Sequence, residues 1–288
     1  MTRRTALSTL AGAAAAAQYL RASARLPIEK AVLWSMLPAN LSEADKFQLA
    51  KDSGFAEVEC QTTPDKAKAE ELLAASKKAG VRIHSVMNMD HWKFPLSSPD
   101  QSVVDKSIAG METSLRNAKL WGADTVLLVP AVVNAEITYE QAYERSQKNI
   151  QKLLPLAKEL NVVIAVEEVW NKFLISPVDF AKYVDSFNSP LVRAYFDVGN
   201  VVLYGYPQQW IRTLGPRIAK LHIKDFYFRK GETKWVGLGE GDIAWKAIYQ
   251  ALADIGYSGT ATVELSGGDG VYLKDVSGRF EKILNGEM

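Results

Sequence analysis

Four apolar runs in the second half of this chain end in side chains able to hold a cation. Residues 162–173 read VVIAVEEVWNKF, 192–200 read VRAYFDVGN, 218–225 read IAKLHIKD and 260–267 read TATVELSG. A short Val/Ile/Ala-rich run bounded in this way reads as a strand buried on both faces. An acid at the end of such a strand is costly unless it is paired, hydrogen-bonded or bound to a metal. Alternation along the first run puts Ile164, Val166 and Glu168 on one face and turns Glu167 the other way, toward the flanking helices. In the same way Arg193, Tyr195 and Asp197 share a face, as do Lys220, His222 and Lys224, and Thr260, Thr262 and Glu264. Glu168, Asp197, His222 and Glu264 are therefore expected to converge.

Three carboxylates and one imidazole form a hard, mostly oxygen-donor set. It suits Mn²⁺ best, with Mg²⁺ or Co²⁺ as alternatives, and not a structural zinc site. Without a cation the carboxylates would repel one another and their pKa values would rise. A divalent ion held there can polarise a sugar carbonyl and acidify the neighbouring C–H. Glu168 and Glu264 come from different sides of the expected site, so they are the candidate acid/base pair for one carbon. Taken singly, each strand-end acid reads more simply as a cap or ion-pair partner; the joint pattern carries the argument.

The elements that must position these groups alternate regularly. Strands are expected at 31–36, 56–60, 81–87, 125–129, 162–168, 192–197, 219–224 and 261–265. Helices are expected at about 42–53, 65–79, 102–121, 139–160, 177–187, 207–214, 243–256 and 272–284. Ser42 and Ser176 read as N-caps, Pro177 as a first helical residue, and Gly54, Gly80 and Gly122 as stops. Pro155 is expected to bend its helix. Residues 226–242 read as a long loop. Eight βα units with no composition break argue for one α/β domain, a (β/α)₈ TIM barrel over residues 25–288, whose chemistry lies at the C-terminal strand ends. A doubly wound sheet would show a glycine-rich phosphate loop after an early strand, and none is present.

Composition narrows the function further. The hydrophobic fraction is 48%, the charged fraction 23% and the formal net charge +1, which is ordinary for a soluble globular domain and disfavours a nucleic-acid partner. The single cysteine, Cys60, excludes an internal disulfide and a thiolate-rich zinc site, and reads as a buried structural thiol. Residues 1–24, MTRRTALSTLAGAAAAAQYLRASA, combine Arg3 and Arg4 with an alanine-rich stretch. They resemble a twin-arginine signal for export to the periplasm, too short and alanine-rich for a stable membrane span.

The motifs Glu168-Val169-Trp170-Asn171, Asp197-Val198-Gly199-Asn200, His222-Ile223-Lys224-Asp225, Gly237-Leu238-Gly239-Glu240-Gly241 and Val263-Glu264 resemble the xylose-isomerase-like barrel superfamily of sugar isomerases and epimerases. The resemblance covers nearly everything after the signal segment. It implies a single divalent metal held by Glu168, Asp197, His222 and Glu264, with Glu168 and Glu264 exchanging protons with a small ketose or keto-sugar through a cis-enediolate. A homodimer or homotetramer is compatible with it. One departure is Asn200, where ketose 3-epimerases usually carry histidine. Asparagine can hydrogen-bond substrate hydroxyls but cannot carry charge. Relatives with the same metal set also cleave 3-keto-glycosides by elimination, and a non-catalytic periplasmic sugar-binding barrel is the reading from outside enzymology. The superfamily's three-zinc abasic-site endonuclease needs more histidines than His84, His91 and His222 provide.

The remaining candidates are substrate contacts. Trp34 and Glu59 stand at the ends of the first two strands. His84 shares the face of Val86 and Asn88, where a satisfied structural histidine is an equal reading. His91 and Trp92 lie in the following loop. Lys224 points inward with His222, and Asp225 is placed to meet substrate or to orient its neighbours. Asn171 and Asn200 follow the strand-end acids, and Glu240 stands in a glycine-rich rim loop. Trp170 and Phe173 read as an apolar wall or a subunit contact.

Overall fold

The computed structural model describes residues 25–229 and 231–288. The expected export signal lies outside them. Eight parallel strands close into a barrel: β1 (Glu29–Leu33), β2 (Glu57–Gln61), β3 (Arg82–Met87), β4 (Thr125–Leu128), β5 (Val163–Glu167), β6 (Val192–Asp197), β7 (Ile218–Ile223) and, after the hairpin strands β8 (Asp225–Arg229) and β9 (Glu232–Val236), β10 (Thr260–Val263). The closing pair is β10 with β1. Helices α1 (Glu43–Asp52), α2 (Lys66–Ala79), α3 (Gln101–Trp121), α4 (Tyr139–Leu160), α5 (Pro177–Asp185), α6 (Pro207–Leu214), α7 (Trp245–Asp254) and α8 (Gly270–Leu284) follow the strands around the outside. The single-domain (β/α)₈ barrel is thus the observed architecture. Among the described residues no helix is long and apolar enough to cross a membrane.

Local chemistry sets the helix ends. The side chains of Ser42, Asp65, Asp100 and Asp269 accept from helical amides, and Thr138 with Gln141 forms a capping box. Ser176 makes no such bond; Pro177 at the first turn starts α5 instead. The helix α4 runs from Tyr139 to Leu160 with Pro155 inside it. The expected loop at 226–242 is half hairpin, with β8 and β9 antiparallel from Asp225↔Val236 to Arg229↔Glu232.

The main core lies between strands and helices, filled by branched residues such as Ile164 and Val166. The barrel interior is different. Leu127, Ala165 and Tyr195 form a small apolar cluster of their own. At its floor Glu57 bonds Arg82 at 2.8 Å and Thr260 at 2.6 Å, while Lys220 reaches Asp124 at 3.0 Å. This polar filling explains why large aliphatic residues belong on the outer strand face.

Candidate metal and active site

The interior layering decides which acid ends β5 on the inside. Ala165 is inward against Tyr195, and Glu167 pairs with Tyr195 across β5 and β6, so the inward set of β5 is Val163, Ala165 and Glu167. Ile164 and Val166 face the helices. The expectation that Glu168 supplies the inward carboxylate is corrected: Glu167 does. Glu167, Asp197, His222 and Glu264 bring one ligand atom each to within 4.8 Å of one another. Glu168 lies past the strand, where its Oε1 accepts from the Asp197 amide at 2.9 Å and its backbone carbonyl accepts from Asn200 Nδ2 at 2.8 Å. It braces Asp197 from behind; its other oxygen, Oε2, is buried without a hydrogen-bond partner.

The turn after β6 prepares Asp197. The amides of Gly199 and Asn200 both donate to Asp197 Oδ1, at 2.7 and 2.8 Å, which leaves Oδ2 facing the cluster. Gly199 is required by close approach, since a Cβ there would stand 2.6 Å from Lys224 Cγ and 3.0 Å from the Trp235 ring. Asn200 borders the cleft, yet its side-chain amide is turned to the Glu168 carbonyl, and its own carbonyl accepts from Trp170 Nε1. It serves as a strut in the turn while it borders the cleft.

His222 presents Nδ1 to the cluster, 3.0 Å from Glu167, 3.2 Å from Glu264 and 3.8 Å from Asp197. Its Nε2 points down the barrel to Glu59 at 3.2 Å. Glu59, expected at the pocket, is fully buried beneath it. There it also receives the Tyr195 hydroxyl and the Thr262 hydroxyl. Lys224 Nζ lies between Asp197 at 2.9 Å and Glu264 at 2.7 Å, as the inward position of Lys224 required.

Charge and burial compete here. Burial pushes Glu167 up to about 7, and it raises Asp197 too, against the pull of Lys224. Glu168 is driven well above the usual carboxylate range by burial and by the charges of Asp197 and Glu167. Burial alone would depress His222, but Glu59, Glu264 and Glu167 outweigh it and hold the imidazole well above its ordinary range. Burial would likewise raise Glu264, and His222 with Lys224 hold it low instead. Buried like charges in mutual contact are the arrangement that a bound cation relieves. Three carboxylates and an Nδ1 turned to them, with Nε2 facing Glu59, are residues that fit one hard divalent ion, which would take the place of the proton that Nδ1 shares with Glu167.

The other candidates separate into those at the cleft and those away from it. A cleft of about 250 Å³ opens on Glu167 and Glu264 and is bordered by His91, Trp92, Trp170, Asn200, Lys224 and Trp235. Burial lowers His91 to about 4, so its ring is neutral near pH 7, with Nδ1 accepting weakly from the Val129 amide. Trp170 stacks on Trp235 at 5.0 Å and meets Phe226 edge-on. Phe173 instead joins the core against Tyr139 and Tyr183. Trp92 and Trp235 are the cleft residues that strand-end reasoning underweighted, and Trp235 sat unseen in the hairpin.

Five expected contacts are elsewhere. His84 is buried in the barrel because the register between β2 and β3 shifts at Glu59, which pairs with Ser85; the extra residue breaks simple alternation. His84 bonds Thr262 at 2.9 Å, and burial depresses it strongly. Trp34 packs on Phe47 beneath Lys46. Asn171 bonds the Ala131 carbonyl and the Phe173 amide. Asp225 is fully buried and accepts from the amides of Phe226, Gly239 and Gly241 and from Trp245 Nε1. Glu240 pairs with Arg279 on the outer rim. Cys60 is buried with its thiol pushed well up by burial, as a structural thiol would be.

A closed (β/α)₈ barrel with acid and imidazole groups at its C-terminal strand ends defines a class, and residues 47–280 match the family of xylose isomerase-like TIM barrels. The chain belongs to that family. Over 244 residues it is 26% identical to the putative L-ribulose-5-phosphate 3-epimerase of Haemophilus influenzae, covering 80% of this chain and 85% of that protein. Its identity to the Escherichia coli K12 protein of the same description is 28%, with the same coverage. A solved D-tagatose 3-epimerase-like protein superposes with a TM-score of 0.77 at 17% identity, over 90% of this chain and 98% of that one. The 3-keto-D-glucoside 4-epimerase of E. coli gives 0.75 at 14%, over 88% and 99%. At these identities the structural likeness shows the fold.

Proposed function

We propose that this chain is a sugar epimerase or isomerase that moves a proton at a carbon next to a carbonyl. The observation that carries the reading is the convergence of Glu167 and Glu264 from different strands onto one cleft, with Asp197 and His222 completing the cluster. The names of the curated relatives support the same class.

Glu167, Asp197, His222 and Glu264 would hold one divalent ion, with Mn²⁺ the best match to three oxygens and one nitrogen. Bound there, it supplies Lewis-acid polarisation of the substrate carbonyl. The chain's own groups do the rest. Glu167 and Glu264 reach the cleft from β5 and from beyond β10, so one carboxylate can take a proton from one face of the carbon and the other return it to the opposite face. Lys224 holds Asp197 and Glu264 in place by two short ion pairs. Trp92, Trp170 and Trp235 wall the cleft and limit water around the carbanionic state.

The test is NMR of manganese-loaded protein with ketoses in D₂O, following deuterium entry at the carbon beside the carbonyl, with Glu264→Gln as control. Exchange that vanishes in the control supports the reading, and the labelled carbon separates epimerisation from aldose–ketose isomerisation. Binding of a sugar without exchange would sink it in favour of a binding protein.

A further inference from the structure

We infer that His91 is a further catalytic residue, whose neutral imidazole donates from Nε2 to the substrate oxygen that gains negative charge as the neighbouring carbon loses its proton. This deepens the proton-transfer reading above and rests on it. His91 keeps its own hydrogen throughout. The C–H proton goes to one carboxylate, the electron pair of that bond moves onto the carbonyl oxygen, and Nε2–H bonds that oxygen until a proton returns to the carbon.

The first argument is the tautomer. A backbone amide only donates. The Val129 amide, just past β4, donates to His91 Nδ1 at 3.4 Å, so Nδ1 carries a lone pair and the proton of the ring sits on Nε2. An imidazolium would have no lone pair to offer there, and burial in any case lowers the ring to about 4. The imidazole also stands edge-on to Trp92, with centroids 5.7 Å apart and planes at 74°. The two contacts together limit its rotation.

The second argument is direction. Nδ1 is anchored to the backbone of β4, and the ring borders the cleft that opens on Glu167 and Glu264. Among the described residues no group accepts from Nε2. Yet Nε2 is not one of the sealed, unpartnered atoms, as His84 Nδ1 is. Its N–H therefore opens on the cleft, beside the two carboxylates that move the proton.

The third argument is the competition. The other donors around the cleft are engaged or wet. Asn200 gives its amide to the Glu168 carbonyl, Trp170 gives its indole N–H to the Asn200 carbonyl, and Lys224 is held between Asp197 and Glu264. Trp92 is 54% exposed and Trp235 44%, so water competes for their indole N–H groups, whereas His91 is only 4% exposed. A donor kept from water stabilises a developing charge far more than a solvated one. A neutral imidazole is also a very weak acid. It can polarise an oxygen without protonating it, and it adds no positive charge to a site built for a cation.

The experiment uses two variants that divide the functions of the ring. His91→Asn sets an oxygen near the place of Nδ1, which keeps an acceptor for the Val129 amide, and has no donor at the place of Nε2. His91→Gln sets an NH₂ group near the place of Nε2 and gives up the Nδ1 acceptor. Both are compared with manganese-loaded wild type by deuterium entry in D₂O, using whichever of D-fructose, D-allulose, D-tagatose and L-ribulose exchanges fastest, with melting temperatures in parallel. His91→Asn should lower kcat about 100-fold or more, the loss typical of removing one oxyanion donor, with KM and melting close to wild type. His91→Gln should recover about tenfold of that loss. In metal-free isotope-labelled protein, proton–nitrogen correlation spectra of the three histidines should place the His91 proton on Nε2. A proton on Nδ1, wild-type kcat in His91→Asn, a loss confined to KM, or His91→Gln no better than His91→Asn overturns the inference and leaves the proton-transfer reading standing. No exchange of any of the four ketoses by wild type would sink that reading and this role with it.

Discussion

Glu59 Oε2 lies 3.2 Å from His222 Nε2, and the same oxygen takes the Tyr195 hydroxyl and, at 3.2 Å, that of Thr262. An ionised carboxylate only accepts, so this contact fixes the proton of a neutral His222 on Nε2 and leaves the Nδ1 lone pair for the cluster above. Glu59 is thus a positioning residue one layer beneath the site. Glu59→Gln should lower manganese affinity by ~10–100-fold, the range typical of outer partners of a metal-bound histidine. Calorimetric titration of folded protein, with melting followed in parallel, checks it; wild-type affinity in Glu59→Gln would show that His222 needs no such support.

Glu167 and Glu168 are adjacent in sequence and opposite in role. Glu167→Gln should weaken manganese binding by more than the ~100-fold ceiling of an outer partner and abolish deuterium exchange. Glu168→Gln keeps an oxygen for the Asp197 amide and replaces a carboxyl that burial already drives toward its neutral form, so affinity should stay within about threefold of wild type. Equal losses in the two variants would contradict the inward register of Glu167.

Much of this arrangement was legible in the sequence. The order of βα units, the barrel and the convergence of Asp197, His222 and Glu264 follow from apolar runs with abrupt polar ends. What misled was the inward face of β5. Alternation separates Glu167 from Glu168 but does not say which faces inward when both faces of the run are apolar, and this interior holds Glu57, Glu59, His84 and Lys220. Branched residues are then the marker of the outer, helix-facing side. The β2–β3 register shift hid the setting of His84, since an unpaired extra residue leaves no trace in composition. The β8–β9 hairpin had a readable signal, the alternating Phe226-Tyr227-Phe228 before Gly231, but glycine and charge made the segment look like loop.

The metal-free protein should lose stability as pH rises. Burial lifts Glu167 from 4.5 to about 7. Its contribution is fully present below the ordinary carboxylate range, where both folded and unfolded chains hold the proton. It is lost as pH climbs through about 7, because the unfolded chain then ionises more readily. Glu168 and Asp197 are shifted in the same direction. Glu264 is shifted down, so its contribution fades only in acid, and that of His222 lasts until its raised value is passed. Chelator-treated protein should therefore melt at a lower temperature at pH 8 than at pH 5.5, with Glu167 alone accounting for about 2 kcal/mol at most between those two pH values. Manganese should reverse the trend, since it binds the deprotonated ligands. A flat profile without metal would show that the cluster is not strained by its own charge.

Asp225 and Gly241 form a latch that holds the hairpin and the rim loop onto the barrel. The Asp225 carboxylate satisfies three backbone amides and one indole N–H, and a Cβ on Gly241 would collide with Asp225 Oδ1 and with the Phe226 carbonyl. Asp225→Asn replaces one accepting oxygen by an NH₂ group aimed at other donors, leaving buried N–H groups without partners. Each such loss is worth about 1–3 kcal/mol, so a drop of several degrees in melting temperature is expected. Gly241→Ala should act in the same direction through backbone displacement. Because neither residue belongs to the Glu167, Asp197, His222 and Glu264 cluster, manganese affinity should fall far less than in Glu59→Gln, while amide exchange should quicken over residues 225–241. Slow exchange there in Asp225→Asn, with unchanged melting, would show that the latch does not hold the loop.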